Sequence, residues 1–153
     1  MSNYGVLEGK AQAAAVAALQ ESLVEFVRIS LDAKQLHWNV GGREFKPLHE
    51  QLDSLADSSR SWYDDVAERI VAVGGAADGS APAVAGVDLP AVPAGPVPAT
   101  EAIAHVVRVL AQVGALVRSR LEPLGESDLV SQDLLIGILA EVEKHLWMFR
   151  VQL

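Results

Sequence analysis

The sequence predicts an all-α fold, a four-helix bundle with a long crossover between the second and third helices. Three observations predict it. Apolar residues recur at three- and four-residue steps in four separate segments. Glycine and proline punctuate the ends of those segments. Between Gly74 and Ala99 the composition shifts to Gly, Ala, Pro and Val, a stretch too long for a hairpin and suited to a crossover.

The first helix is expected from about Lys10 to Asn39. Val16, Leu19, Leu23, Phe26, Ser30, Ala33 and His37 form its buried stripe, its Ala-rich opening is a strong helix former, and Gly41-Gly42 stops it. The second starts near Pro47, a residue tolerated in a first turn, and ends at Gly74-Gly75. Its stripe is Leu48, Leu52, Leu55, Ser59, Trp62, Val66, Ile70 and Val73. Pro90, Pro93, Pro96 and Pro98 keep any helix in the crossover short. Thr100 is the expected N-cap of the third long helix, with Glu101 at its positive end. Ile103, Val107, Leu110, Val113 and Val117 make its apolar face, which leaves His105 off the stripe and exposed, and Pro123 and Gly125 end it. Ser127 is the expected cap of the last helix, which runs to about Val151 with Leu135, Ile138, Val142, His145 and Phe149 inward.

The 153 residues make one domain, 1–153, with 1–9 as a short N-terminal tail. Half the residues are hydrophobic, enough for a proper core. No uninterrupted apolar run reaches about 18 residues, so no membrane span is expected. The stretch Met1 to Gly9 has no basic n-region and no long apolar h-region, so a secretory signal is not expected and the cytoplasm is the expected compartment. With 0 cysteines there are no disulfides, thiolate metal sites or cysteine nucleophiles. A net charge of −8 disfavours nucleic-acid binding, and neither end carries a Lys/Arg cluster.

The chemistry sits on the second helix. At about 100° per residue, His49, Asp53, Asp64 and Glu68 fall within a stripe roughly 100° wide. His49 and Glu68 are nevertheless about 28 Å apart along the axis, at about 1.5 Å per residue. One copy cannot bring all four to one ion. Two antiparallel copies related by a two-fold between Ser58 and Ser59 can: His49 then faces Glu68 of the partner subunit, and Asp53 faces Asp64 of the partner subunit. With His37 at the end of the first helix, the set is His37, His49 and Asp53 from one chain and Asp64 and Glu68 from the other. Imidazole with carboxylates and water suits Fe(II), Mn(II) or Zn(II). Taken singly, each residue has an ordinary reading as a core histidine or a solvated carboxylate; the joint spacing favours the site. No Glu-x-x-His motif is present, which disfavours a di-iron centre within one chain.

The mirror extends to Asp57, which would meet Arg60 across the same axis, while Ser58, Ser59 and Ser61 are small enough for close helix approach. Trp38 reads first as packing at a helix end, with a redox-active ring as the alternative. Glu126, Asp128 and Asp133 complement a helix macrodipole or, around a symmetry axis, form a cation ring. His145 reads as a core histidine.

The run Lys34-Gln35-Leu36-His37-Trp38-Asn39-Val40, then Leu48-His49-Glu50-x-Leu52-Asp53, then Asp64-x-Val66-Ala67-Glu68-Arg69 resembles the Dps family, the mini-ferritins or DNA-binding proteins from starved cells. The segment Glu143 to Phe149 is similar too, and the resemblance covers the chain from Lys10 onward. It implies a ferritin-like bundle assembled as a hollow homo-dodecamer that oxidises Fe(II), preferentially with hydrogen peroxide, and stores ferric mineral. By position it implies metal ligands His37, His49 and Asp53 with Asp64 and Glu68 of the neighbouring copy. Trp38 matches the family's tryptophan beside that centre, and Asp133 and Asp128 match the acidic region of the three-fold iron pore. Many members bind DNA through basic tails; this chain has none, so DNA binding is expected to be weak or absent. The function implied is a ferroxidase and iron-storage protein that limits oxidative damage. The alternatives are a nucleoid-binding protein with secondary metal chemistry and a shell that has lost activity or binds another metal such as zinc.

Overall fold

The computed structural model describes residues 5–153; residues 1–4, part of the expected N-terminal tail, lie outside the described residues. Four long helices, α1 (Gly9–Asn39), α2 (Phe45–Ala72), α4 (Ala99–Ser127) and α5 (Leu129–Arg150), carry the core. Between α2 and α4 the crossover holds the short helix α3 (Ala81–Ala85). Two-residue strands β1 (Val40–Gly41) and β2 (Val97–Pro98) pair in parallel, with Val40 opposite Val97. This small ladder staples the end of the crossover to the α1–α2 turn, so the chain returns to start α4 beside the end of α1. Gly42, at φ +115°, supplies the left-handed backbone that reverses the chain into α2.

The expected stripes of α2 and α5 are buried at every position named. In α1 the buried face also takes in Ala15, Ile29 and Leu36, while Val16 is half-buried. Through the centre runs a row of edge-on rings. Phe26 meets Trp62 and Trp62 meets His145, each at 5.8 Å between centroids. The Trp62 indole N–H donates to Glu141 Oε2 at 2.7 Å, so a ring with a polar edge is buried without an orphaned donor.

Four expectations need correction. His105 is fully buried, not exposed: Asp32 of α1 comes to 3.0 Å from its Nε2 and gives an interior imidazole the partner it needs. Pro123 lies inside α4 and does not end it; buried Leu124 anchors the final turn, which closes with the Asp128 amide donating to the Leu124 carbonyl at 2.7 Å. The α4 N-cap position is held by Pro98, with no side-chain cap, because the staple at Val97 already fixes the chain there. Asp128, not Ser127, caps α5, accepting from the Ser131 amide at 3.0 Å. α4 is also more apolar on average than its lack of an uninterrupted apolar run suggests. An 18-residue window averages 1.4, enough for a membrane span by length and composition, but half of that window is buried against the other helices of the bundle.

Candidate metal centre

The end of α1 and the first turns of α2 lie side by side, and this places His37 against His49. The two rings stack with centroids 3.6 Å apart and planes 19° from parallel. Each is held by the other's backbone. His37 Nδ1–H donates to the His49 carbonyl at 2.8 Å, and His49 Nδ1–H donates to the His37 carbonyl at 2.8 Å. A carbonyl only accepts, so these bonds put a proton on Nδ1, and in the neutral form of either ring the lone pair is then on Nε2. That is the arrangement by which proteins orient metal-ligating imidazoles. Phe45 covers His49 at 4.9 Å between centroids. His37 is buried and His49 half-buried, so one ring is set in the core and the other faces outward.

Asp53 follows His49 by one turn of α2. Its Oδ1 lies 4.0 Å from His37 Nδ1 and accepts from Lys34 Nζ at 2.6 Å. The Lys34 hydrogen bond holds the Asp53 carboxyl below the usual carboxylate range, despite partial desolvation. Two imidazoles and an ionised carboxylate thus lie at one end of the bundle, with Asp53 on the Nδ1 side of the His37 ring. Asp64 and Glu68 are exposed farther along α2. Glu68 borders an open cleft of about 470 Å³ with Asp65, Arg69, Ala72, Val130 and Leu134. Among the described residues no group of three His, Asp or Glu side chains in one chain encloses a metal ion. The donors fall into two half-sets at opposite ends of α2.

The comparisons decide the family. A family profile described as ferritin-like domain matches residues 16–153. The chain is similar to DNA protection during starvation protein of Mycolicibacterium smegmatis, at 34% identity over 143 residues, 88% of this chain and 74% of that protein. The chain belongs to the Dps family of ferritin-like proteins. It is similar to DNA protection during starvation protein 2 of Deinococcus radiodurans, at 34% identity over 136 residues, 88% of this chain and 56% of that protein. The chain therefore spans just over half the length of that relative. Among solved structures it resembles Mycobacterium smegmatis Dps, with TM-score 0.94 and 31% identity over 100% of this chain and 89% of that one. Dps from Microbacterium arborescens in the high iron form superposes with TM-score 0.92 at 31% identity, over 97% of each chain.

Within this Dps chain the remaining sequence-predicted residues are placed as follows. Trp38 is 68% exposed within one chain, so the packing expected at the helix end is not made inside the chain itself; its ring lies 5.8 Å from Lys34 Nζ. Asp128 is the α5 cap, and its carboxylate also accepts from Arg69 at 2.7 Å. Asp133 is exposed one turn further on, beside exposed Leu129, Val130 and Ile136. Asp57 and Arg60 pair within one chain at 3.0 Å. Ser59 donates to the Leu55 carbonyl at 2.8 Å, and Ser58 lies 3.1 Å from His145 Nε2. These two serines therefore serve their own bundle.

Sequence reasoning missed Lys34, Phe45 and the Arg69–Asp128–Ser131 link. The signal for Lys34 was its place one turn before His37 on the same helix. Phe45 precedes His49 by four residues, the spacing of stacked neighbours on a helix.

Proposed function

We propose that this Dps protein is a ferroxidase and iron-storage protein whose oxidation sites form between two-fold-related copies. His37, His49 and Asp53 of one copy bind Fe(II) together with Asp64 and Glu68 of the neighbouring copy. The observation that carries the reading is the reciprocal lock of His37 and His49, which fixes both rings with Nε2 lone pairs available. Few protein ligands per ion leave coordination positions for water and oxidant.

Hydrogen peroxide is the preferred oxidant in this reading. Two Fe(II) each give up one electron, the peroxide O–O bond takes both and breaks, and hydrolysis of the ferric product releases protons. The carboxylates stabilise the more highly charged ion. The protein assembles as a homo-oligomer, a dodecamer built from two-fold dimers, in the bacterial cytoplasm. Iron enters past acidic residues, Asp133 first and Asp128 less directly, since Asp128 is already engaged by Arg69 and Ser131. Where only one Fe(II) is bound, Trp38, exposed nearby, would supply the second electron that peroxide needs as its O–O bond breaks, so that no hydroxyl radical is released. Removing Fe(II) and peroxide together protects DNA without contact; a net charge of −8 argues against direct binding.

The test is stopped-flow absorbance of ferric species after anaerobic Fe(II)-loaded protein meets hydrogen peroxide. The D64A/E68A variant runs alongside. Rapid oxidation by the parent and near-background rates in an assembled variant support the reading. Equal rates in both, close to a protein-free control, overturn it.

A further inference from the structure

Lys34 is the one cation already seated at the candidate centre among the described contacts. Its Nζ lies 2.6 Å from Asp53 Oδ1, the carboxylate that the proposed site needs for metal. Its side chain is four-fifths buried while that of Asp53 is about half exposed, so the lysine reaches up from beneath and the open side faces solvent. The same oxygen stands 4.0 Å from the His37 ring. A divalent ion bridging Asp53 and the histidines would sit within a few ångströms of this ammonium, where like charges repel. The two cations compete for one carboxylate.

The ammonium already stands over a second partner, which it keeps when it leaves Asp53. Nζ is 5.8 Å from the centroid of the Trp38 ring, inside cation–π range. Trp38 is mostly exposed, so its face is accessible to a lysine that swings off Asp53. The stem of Lys34 can stay in place while its head leaves the carboxylate and keeps the indole.

We propose that Lys34 is a resident counter-cation, which an incoming divalent metal must displace from Asp53 and which thereby sets the affinity of the site. This rests on the reading of His37, His49 and Asp53 as metal ligands. In the metal-free protein Lys34 keeps Asp53 ionised and aligned. Binding is then an exchange of one cation for another, and weakly attracted ions fail to complete it. Lys34 is a positioning and selectivity residue, not a ligand.

The test uses Co(II) as probe on the full assembled protein, by calorimetric titration and by the visible absorbance of bound Co(II). K34Q removes the charge and keeps the length. It should bind Co(II) about fivefold to tenfold more tightly at low ionic strength, the scale of one partly exposed charge pair. The difference should shrink with added salt. K34R should bind like the parent, and K34Q should melt close to the parent, which separates charge from folding. Unchanged or weaker Co(II) binding by K34Q, where the parent binds Co(II) and H49A does not, overturns the role of Lys34 alone. No Co(II) binding by the parent that H49A removes overturns both this role and the metal site itself.

Discussion

Replacing Asp32 by alanine should destabilise the bundle far more than a typical helix substitution. Asp32 of α1 is 5% exposed and accepts from Arg28 Nε at 2.7 Å, while its other oxygen lies 3.0 Å from Nε2 of fully buried His105. Arg28 in turn donates to the Pro90 carbonyl at 2.8 Å, so the carboxylate ties α1, the crossover and α4 together. Removing it strands an imidazole whose Nδ1 already lacks a partner. The cavity beside it, about 10 Å³, has room for at most one water. Breaking a buried pair costs about 3–5 kcal/mol. Arg28 keeps its Pro90 contact and some access to water, so the lower end, about 3 kcal/mol, applies. For a chain of this size that is a fall in Tm of about 6–12 °C, read by scanning calorimetry at fixed protomer concentration. The double variant D32L/H105L should recover at least half of the loss, because apolar groups of similar volume replace a buried polar pair at little cost. A single variant within about 2 °C of the parent, or a double variant less stable than the single, would refute the reasoning.

Two further predictions concern the ends of the bundle and its centre. Burial raises the Asp128 carboxyl, but hydrogen bonds from Arg69 and Ser131 outweigh it and hold the group below the usual carboxylate range. A carboxyl with a depressed folded pKa stabilises above its unfolded value, near 3.9, and loses that contribution as pH falls through the folded value. D128N should therefore be less stable than the parent at pH 7, by about 1–2 kcal/mol from the weakened pair and cap, and the gap should close in denaturation midpoints measured downward from about pH 4. A gap that is the same at both ends would count against the Arg69 link. His145 is pushed down by burial, with Glu141 opposing and Lys144 assisting. A histidine kept neutral in the fold stabilises above its unfolded value, near 6.5, and loses that contribution as pH falls below it. H145F keeps the ring beside Trp62 and removes the titration, so its Tm should gain on the parent between about pH 7 and pH 5. A pH-independent difference would contradict the assignment.

Much of this architecture was legible because the signals were local. Every core position expected on α2, from Leu48 to Val73, is buried, since a single helical period was uninterrupted by glycine or proline. The spacing behind the proposed half-sites, His49–Asp53 and Asp64–Glu68, was readable for the same reason. The sequence could not show partners from distant segments. His105 is off the apolar stripe of its own helix yet buried, because Asp32, 73 residues away, meets it. Asp128 could be weighed as a pore acid, but its cap and its bond to Arg69, 59 residues earlier, are tertiary facts. The stacking of His37 on His49 likewise depends on how the α1–α2 turn closes, which the β1–β2 staple helps to fix. The fold was thus read from periodicity, while the polar wiring of the site needed coordinates.

The central claim is that each oxidation site takes donors from two copies, and subunit complementation tests it most directly. One variant, H49A/D53A, retains Asp64 and Glu68; the other, D64A/E68A, retains His49 and Asp53. Each alone should oxidise Fe(II) with hydrogen peroxide near the protein-free rate. Co-assembled in equal amounts, half of the two-fold pairs are mixed, and each mixed pair regenerates one intact site of two. About a quarter of the parental rate should return. No recovery in verified mixed assemblies, or full activity in either variant alone, would contradict a site shared across the two-fold.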